Sequence, residues 1–411
     1  MDKKLQKLLG YLTNFTTKNP FDRDFTKYPH YNVRFARNNI PGVQVGLTAN
    51  DYKNAIKFAR NLLPKIVNKL PDKIVNEEIT TFMFSAFKNP HIKDVSGLVG
   101  KFTAPNLQIQ NAVIKLYNIN IDISIDTDTF SLYTSQDFYE KFVKNVNGLP
   151  SHFKKTFTYI FDNSKNNIFV VLVLKNIPVY EPKPEVALNI IKNRMNDFCA
   201  VLGIMFQTYY QPIHLGNYIK ESLEAVCLFD KRMTPLKLSD IGRPYNPFYH
   251  EPVEITKKDI ETNKFIINLL SDNDNLLNKT LLSIRWLNKS ILSENDEDRI
   301  LQATRSLETL LSRHQKSDNA AGLGVSLAET FAFLTESDLQ KRLYVFKFLK
   351  NIYNIRSEIV HSGQAAITTD VYYHFYDILK DGILKIIDLI QANKWKNIDE
   401  IYKYVEQLKF Q

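Results

Sequence analysis

The chain has 411 residues, 44% of them hydrophobic and 24% charged, with a formal net charge of +9. That is enough apolar material for a buried core and for two or three domains, and it excludes global disorder. No window reaches the roughly 18 uncharged apolar residues of a membrane span, so a soluble, cytoplasmic protein with no membrane partner is expected.

The opening MDKKLQKLLGYLTNF lacks a small-residue cleavage site and is not read as a signal peptide. Cys199 and Cys227 have neither metal spacing nor a disulfide framework and read as reduced core residues of an intracellular protein. No metal or cofactor is expected. The charge is uneven. Residues 1–100 hold 16 Lys and Arg against 8 Asp and Glu, whereas 271–363 are balanced, 12 against 12. The basic excess of the N-terminal part suits a polyanionic partner, although lysine-rich surfaces are common in such Asn/Lys/Ile-rich chains.

Residues 51–70 read as an amphipathic helix interrupted by Pro64, and Pro71-Asp72 as a turn. Over 112–135 apolar and polar residues alternate, with Ile121, Ile123 and Ile125 on one face, which predicts a half-exposed strand. TFTYIF (156–161) and NIFVVLVLK (167–175) predict two more strands around an Asn-rich turn. Pro184 and Glu185 open a helix to about Leu202, MFQTYYQPI reads as extended, and EAVCLF (224–229) as a strand. Pro244, Pro247 and Pro252 mark a boundary or bracing loop. The expected architecture is an α+β region over 1–250 with a mostly antiparallel sheet, divisible near 100, then an all-α bundle over 257–411. Ser293 with Asp296, and Ser337 with Asp338, are read as helix starts, and Gly363 as a left-handed stop. GLGVSLAET (322–330) lacks the lysine and third glycine of a nucleotide loop and reads as a turn into a helix capped near Ser326.

The stretch NIYNIRSEIVHSG (351–363) carries the chemistry. At 100° per residue, Val345, Phe348, Ile352, Ile355 and Ile359 form a stripe that must face the core. Lys347, Lys350, Asn354, Ser357 and His361 lie opposite, with Arg356 at the border. His361 stands at the helix C-terminus, where the macrodipole favours a cation. From Arg356 to His361 the helix turns about 140° net, so a two-fold dimer would join the two groups better than one chain. Arg and His separated by four to six residues are a weak signal. Arg23/His30 and Arg243/His250 match the spacing too, in aperiodic or proline-broken stretches. His152, His214 and His374 are isolated. The aromatics Tyr344, Phe346, Phe348, Tyr353, Tyr372, Tyr373, Phe375 and Tyr376 read as bundle core, with Tyr353 near enough to the polar stripe to stack on a base.

YNIRSEIVHSG, preceded by RSLETLLSRH and followed by another amphipathic helix, resembles the C-terminal domain of the Apea-like group of the HEPN superfamily over roughly residues 275–395. The resemblance implies a metal-independent endoribonuclease acting as a homodimer, with Arg356 and His361 catalytic. Ser357, Asn354 and Glu308 would support the site, and Lys347, Lys350 and Tyr353 would contact RNA. It further implies an RNA substrate such as tRNA, a role in antiviral defence, and control by a trigger or partner protein through the N-terminal region. The alternative is a non-catalytic dimerising or RNA-binding adaptor or sensor. Functional residues transfer from a family only through the geometry of the site.

Overall fold

The computed structural model describes residues 2–16, 36–37, 43–46, 49–88, 91–103, 106–116, 119–144, 170–183, 185–206, 226–229, 235–239, 253–270, 275–313, 320–363 and 368–410. The expected strand at 156–161 and its turn lie outside them, as do the extended stretch beyond Phe206, the proline cluster, His152, His214 and the Arg23/His30 and Arg243/His250 pairs. By contacts the chain divides into two compact units, residues 1–110 with 176–190 and residues 111–175 with 191–411.

In the first unit, Asp2 caps α1 (Lys3–Leu9) by accepting from the Lys4 backbone N–H at 3.3 Å. Helix α2 (Ala49–Arg60) ends before Pro64, as the proline predicts, and Pro64 then starts a 3-10 turn over Lys65–Lys69. Helices α3 (Asp72–Lys88) and α4 (Ser96–Lys101) follow. The buried set Leu5, Leu8, Ile79, Met83, Leu98 and Phe102 forms this unit's core, with Phe102 stacked on Tyr180 at 5.6 Å. Strands β1 (Thr13–Thr16), β2 (Ala36–Arg37) and β3 (Val43–Gly46) form an antiparallel sheet in the order β1-β3-β2.

A second sheet has six strands in the order β10-β9-β4-β8-β7-β6. Its members are β4 (Leu107–Leu116), β6 (Ile125–Asp126), β7 (Phe130–Thr134), β8 (Val170–Tyr180), β9 (Val226–Phe229) and β10 (Pro235–Ser239). The single strand expected over 112–135 is broken into pieces. After β4, a short β5 (Ile119–Ile121) pairs in parallel with β11 (Val253–Ile255), an exception to the antiparallel expectation. The chain then bends because its polar side chains bond elsewhere. Asp122 accepts from the Lys257 backbone N–H at 3.1 Å, Ser124 bonds Asp137, and Thr127 and Phe130 close a turn at 2.7 and 3.1 Å. Ile123 is consequently exposed while Ile125 is buried.

After α5 (Ser135–Phe138) and β8 comes α6 (Glu185–Met205), which starts where its first-turn glutamate predicts. The rest of the second unit is helical, from α7 (Lys257–Thr262) and α8 (Lys264–Asn268) through α9 (Asn275–Ile291), α10 (Asp296–Leu311), α11 (Ala320–Thr335), α12 (Leu339–Ser362) and α13 (Thr369–Asn393) to α14 (Ile398–Lys409). Ala200, Val201 and Ile204 of α6 are buried in the same core as Leu307, Phe331, Ile352 and Ile383, and Arg285 of α9 donates from Nε to Asp197 of α6 at 2.6 Å. The helical unit thus recruits α6 and the neighbouring strands, so the contact boundary does not fall at the composition change near 250–257. Among the described residues no helix is long and apolar enough to cross a membrane. Cys199 is a free, buried cysteine, and burial pushes its thiol pKa up.

Details of the helix ends differ from expectation. Asn295, not Ser293, caps α10, accepting from the Asp298 N–H at 2.7 Å, while Asp338 caps α12. Helix α11 begins at Ala320, so GLGVSLAET lies inside a helix. Its Gly324 makes room for a neighbour: a Cβ there would sit 2.8 Å from the Tyr353 ring. Of the aromatics, Tyr372 and Phe375 are core, but Tyr344 and Tyr373 are exposed. Gly382 of α13 passes the fully buried Phe331 so closely that a Cβ would lie 2.0 Å from Cζ. The ring has no room to swing, so Gly382→Ala is expected to cost about 1–3 kcal/mol through overpacking. The measurement is a lower urea midpoint with an unchanged slope.

Candidate functional site

Helix α12 presents the site. Asp338 accepts from the Lys341 backbone N–H at 2.9 Å, and Arg342 donates to the carbonyls of Glu336 and Ser337 at 3.0 and 3.2 Å, tying the helix start to the preceding turn. Val345, Leu349, Ile352 and Ile359 are buried, with Phe348 and Ile355 packed beside them. That is the stripe the periodicity predicts, with Leu349 added. Gly363 ends the helix at φ 78° and donates its N–H to the Ile359 carbonyl at 2.8 Å. A side chain at that φ is strained, so Gly363→Ala is expected to lower stability by about 1 kcal/mol. The loss should appear in the urea midpoint, and faster amide exchange at His361 and Ser362 should report fraying of the last turn.

Lys347, Lys350, Asn354, Ser357 and His361 are all exposed along one side of α12. Among the described residues the His361 ring has no hydrogen-bond or ion-pair partner. Arg356 sits on the other side and is half-buried. Its guanidinium lies 3.7 Å from a Glu308 carboxylate oxygen of α10, with side-chain exposures of 38% and 25%. This is an ion pair too long for a hydrogen bond. Burial raises the pKa of Glu308, against the opposing pull of Arg356 and Arg305.

Helix α10 is itself anchored to α9 at this level. Ser283 and Ser306 are buried and each donates to the other's backbone carbonyl, at 2.9 and 2.8 Å, which sets the register of the pair. Glu308 is two residues beyond that clamp. Tyr353 also points into the Glu308–Arg356 neighbourhood. Burial, aided by Glu308, raises its pKa, and its buried hydroxyl has no hydrogen-bond partner among the described residues. With its ring against Gly324, Tyr353 is not available to stack on a base, which corrects the expectation from its place beside the polar stripe. His374 is not isolated: it bonds the Tyr344 hydroxyl at 2.7 Å and stands edge-on to Phe348 at 4.8 Å.

The structure therefore brings Arg356, Glu308 and Tyr353 together and leaves His361, Ser357, Asn354, Lys347 and Lys350 on open surface. Sequence reasoning missed Trp286 and Arg305, although Arg305 stands one turn before Glu308 in RSLE and Trp286 is one of only two tryptophans. No protein-family model, curated protein or solved structure matches this chain. Any functional reading thus rests on the residues and their geometry. Among the described residues, no group of three or more His, Cys, Asp or Glu is arranged to hold a metal.

Proposed function

We propose that this chain is an endoribonuclease that cuts RNA by transesterification and works as a homodimer. The observation that carries the reading is that both groups stand on one helix, one held and one open. Arg356 is half-buried and held electrostatically by Glu308, and His361 is exposed in the last turn, five residues on. The reaction uses these groups and no metal. The RNA 2′-OH attacks the adjacent phosphorus while an imidazole takes its proton, and the 5′-oxygen leaves with a proton from the acid partner. The planar guanidinium balances charge on the phosphoryl oxygens. The products carry a 2′,3′-cyclic phosphate and a 5′-OH. A second copy supplies the other Arg/His pair, since the two side chains on one helix diverge by about 140°. In this reading Lys347 and Lys350 lie along the RNA path, the N-terminal region restrains or triggers the site, and the biological setting is damage to host RNA, such as tRNA, during antiviral defence.

The test is cleavage of a mixed RNA pool by purified protein in EDTA, with 2′-deoxy substrate as control. Cyclic-phosphate ends, and loss of cutting with the deoxy substrate, are expected. A second reading, a non-catalytic dimerising or RNA-binding adaptor, is favoured by that same divergence, because one chain does not assemble an Arg/His site by itself. Cutting that persists equally without Arg356 and His361 would remove the nuclease assignment.

A further inference from the structure

Next to the Arg356 site the α9–α10 hairpin carries a second arrangement. The Trp286 indole of α9 is flanked by two cations. The Arg305 guanidinium carbon of α10 lies 4.4 Å from the ring centroid, and the Lys289 ammonium, one turn on from Trp286, lies 4.9 Å from it. Arg305 and Lys289 are exposed, and neither forms an ion pair with a described residue. Leu282, one turn before Trp286, is exposed as well. The Ser283–Ser306 clamp holds the two helices in the register that brings Arg305 over the indole. Arg305 is also close enough to act electrostatically on Glu308, the partner of Arg356. Arg305 of the stack and Glu308 of the Arg356 site thus stand on one helix, α10, about one turn apart.

A planar guanidinium over an indole makes a flat, positively charged platform. Unpaired bases stack on aromatic rings and on guanidinium planes, and phosphates are drawn to unneutralised cations. A duplex keeps its base faces stacked inside. An acidic protein segment would use the cations but gain nothing from the flat ring. We infer that Trp286, with Arg305 and Lys289, forms a base-stacking subsite for single-stranded RNA beside Arg356. Its assignment to a nuclease substrate rests on the proposed function; the stacking itself does not.

The test uses tryptophan emission. Trp395→Phe in the full chain leaves Trp286 as the only tryptophan and keeps a ring against Tyr404, which Trp395 meets at 5.2 Å. A fully 2′-O-methylated oligoadenylate of about a dozen nucleotides cannot be cleaved by 2′-OH attack, and its length matches the range of single-strand sites. Saturable quenching of Trp286 is expected, weakening as salt rises and absent with a duplex of equal length. Arg305→Ala should weaken binding roughly 10-fold. Binding seen by anisotropy of a labelled oligonucleotide without quenching, equal quenching by the duplex, or no binding at all would each overturn the subsite. Cleavage of unmethylated RNA is scored separately. Quenching without any cleavage keeps the platform on its own footing, apart from the nuclease reading, while cleavage without quenching keeps the nuclease and sinks the platform.

Discussion

Alanine at His361 is expected to lower RNA cleavage by about 10²–10⁴-fold, the usual worth of a positioned general acid or base. The fold should survive, since the side chain is exposed and has no partner among the described residues. An unchanged urea midpoint beside lost activity would therefore isolate the chemistry. Alanine at Arg356 is expected to cost about 10²–10³-fold, as removal of one preorganised donor to a developing oxyanion does. It also strips Glu308 of its partner, so some change in stability accompanies it. Lysine at 356 keeps the charge but not the planar fork, and little recovery is expected. Measured activity that is the same in wild type, His361→Ala and Arg356→Ala would sink the assignment, whatever the source of the cleavage.

The parts of the fold that were readable in advance are those that follow from local rules. The buried stripe of α12 follows from a 3.6-residue period, and its left-handed stop from the one residue type that adopts φ 78° without cost. His361 could be placed on the exposed side, and Arg356 at its border, for the same reason, since a long periodic helix tells which residues face out. What stayed hidden depends on neighbours distant in sequence. The strand expected over 112–135 breaks because Asp122 finds the Lys257 amide, 135 residues away. Tyr353 looked available for stacking until Gly324 of another helix proved to sit against it. Trp286 gains its meaning from Arg305, and the link exists only once α9 and α10 are in register. The core shared by α6 and the helical unit leaves no mark on composition either, because Ala200, Val201 and Ile204 read as any amphipathic helix does.

Glu308→Gln is expected to reduce cleavage by about 10- to 100-fold, chiefly in kcat, because a loosened guanidinium no longer meets the phosphate in the productive geometry. The effect should vanish in an Arg356→Ala background, since Glu308 acts through Arg356 and coupled groups are not additive. Stability should move the other way, and the sign follows from the carboxyl group. Burial raises its pKa above the ordinary 4.5, even with Arg356 and Arg305 pulling it down. Folding therefore favours the protonated form. That contribution is fully present below 4.5 and is lost as pH rises through the folded value. Once pH has risen past the folded value, the wild type carries an ionised, partly desolvated carboxylate that glutamine removes. Relative to wild type, Glu308→Gln should gain stability between acid and neutral pH while losing activity, as measured by urea unfolding across that range beside the kinetics. A residue that merely braced the bundle would lose both together, and that outcome would show that the half-buried carboxylate is not kept for the sake of Arg356.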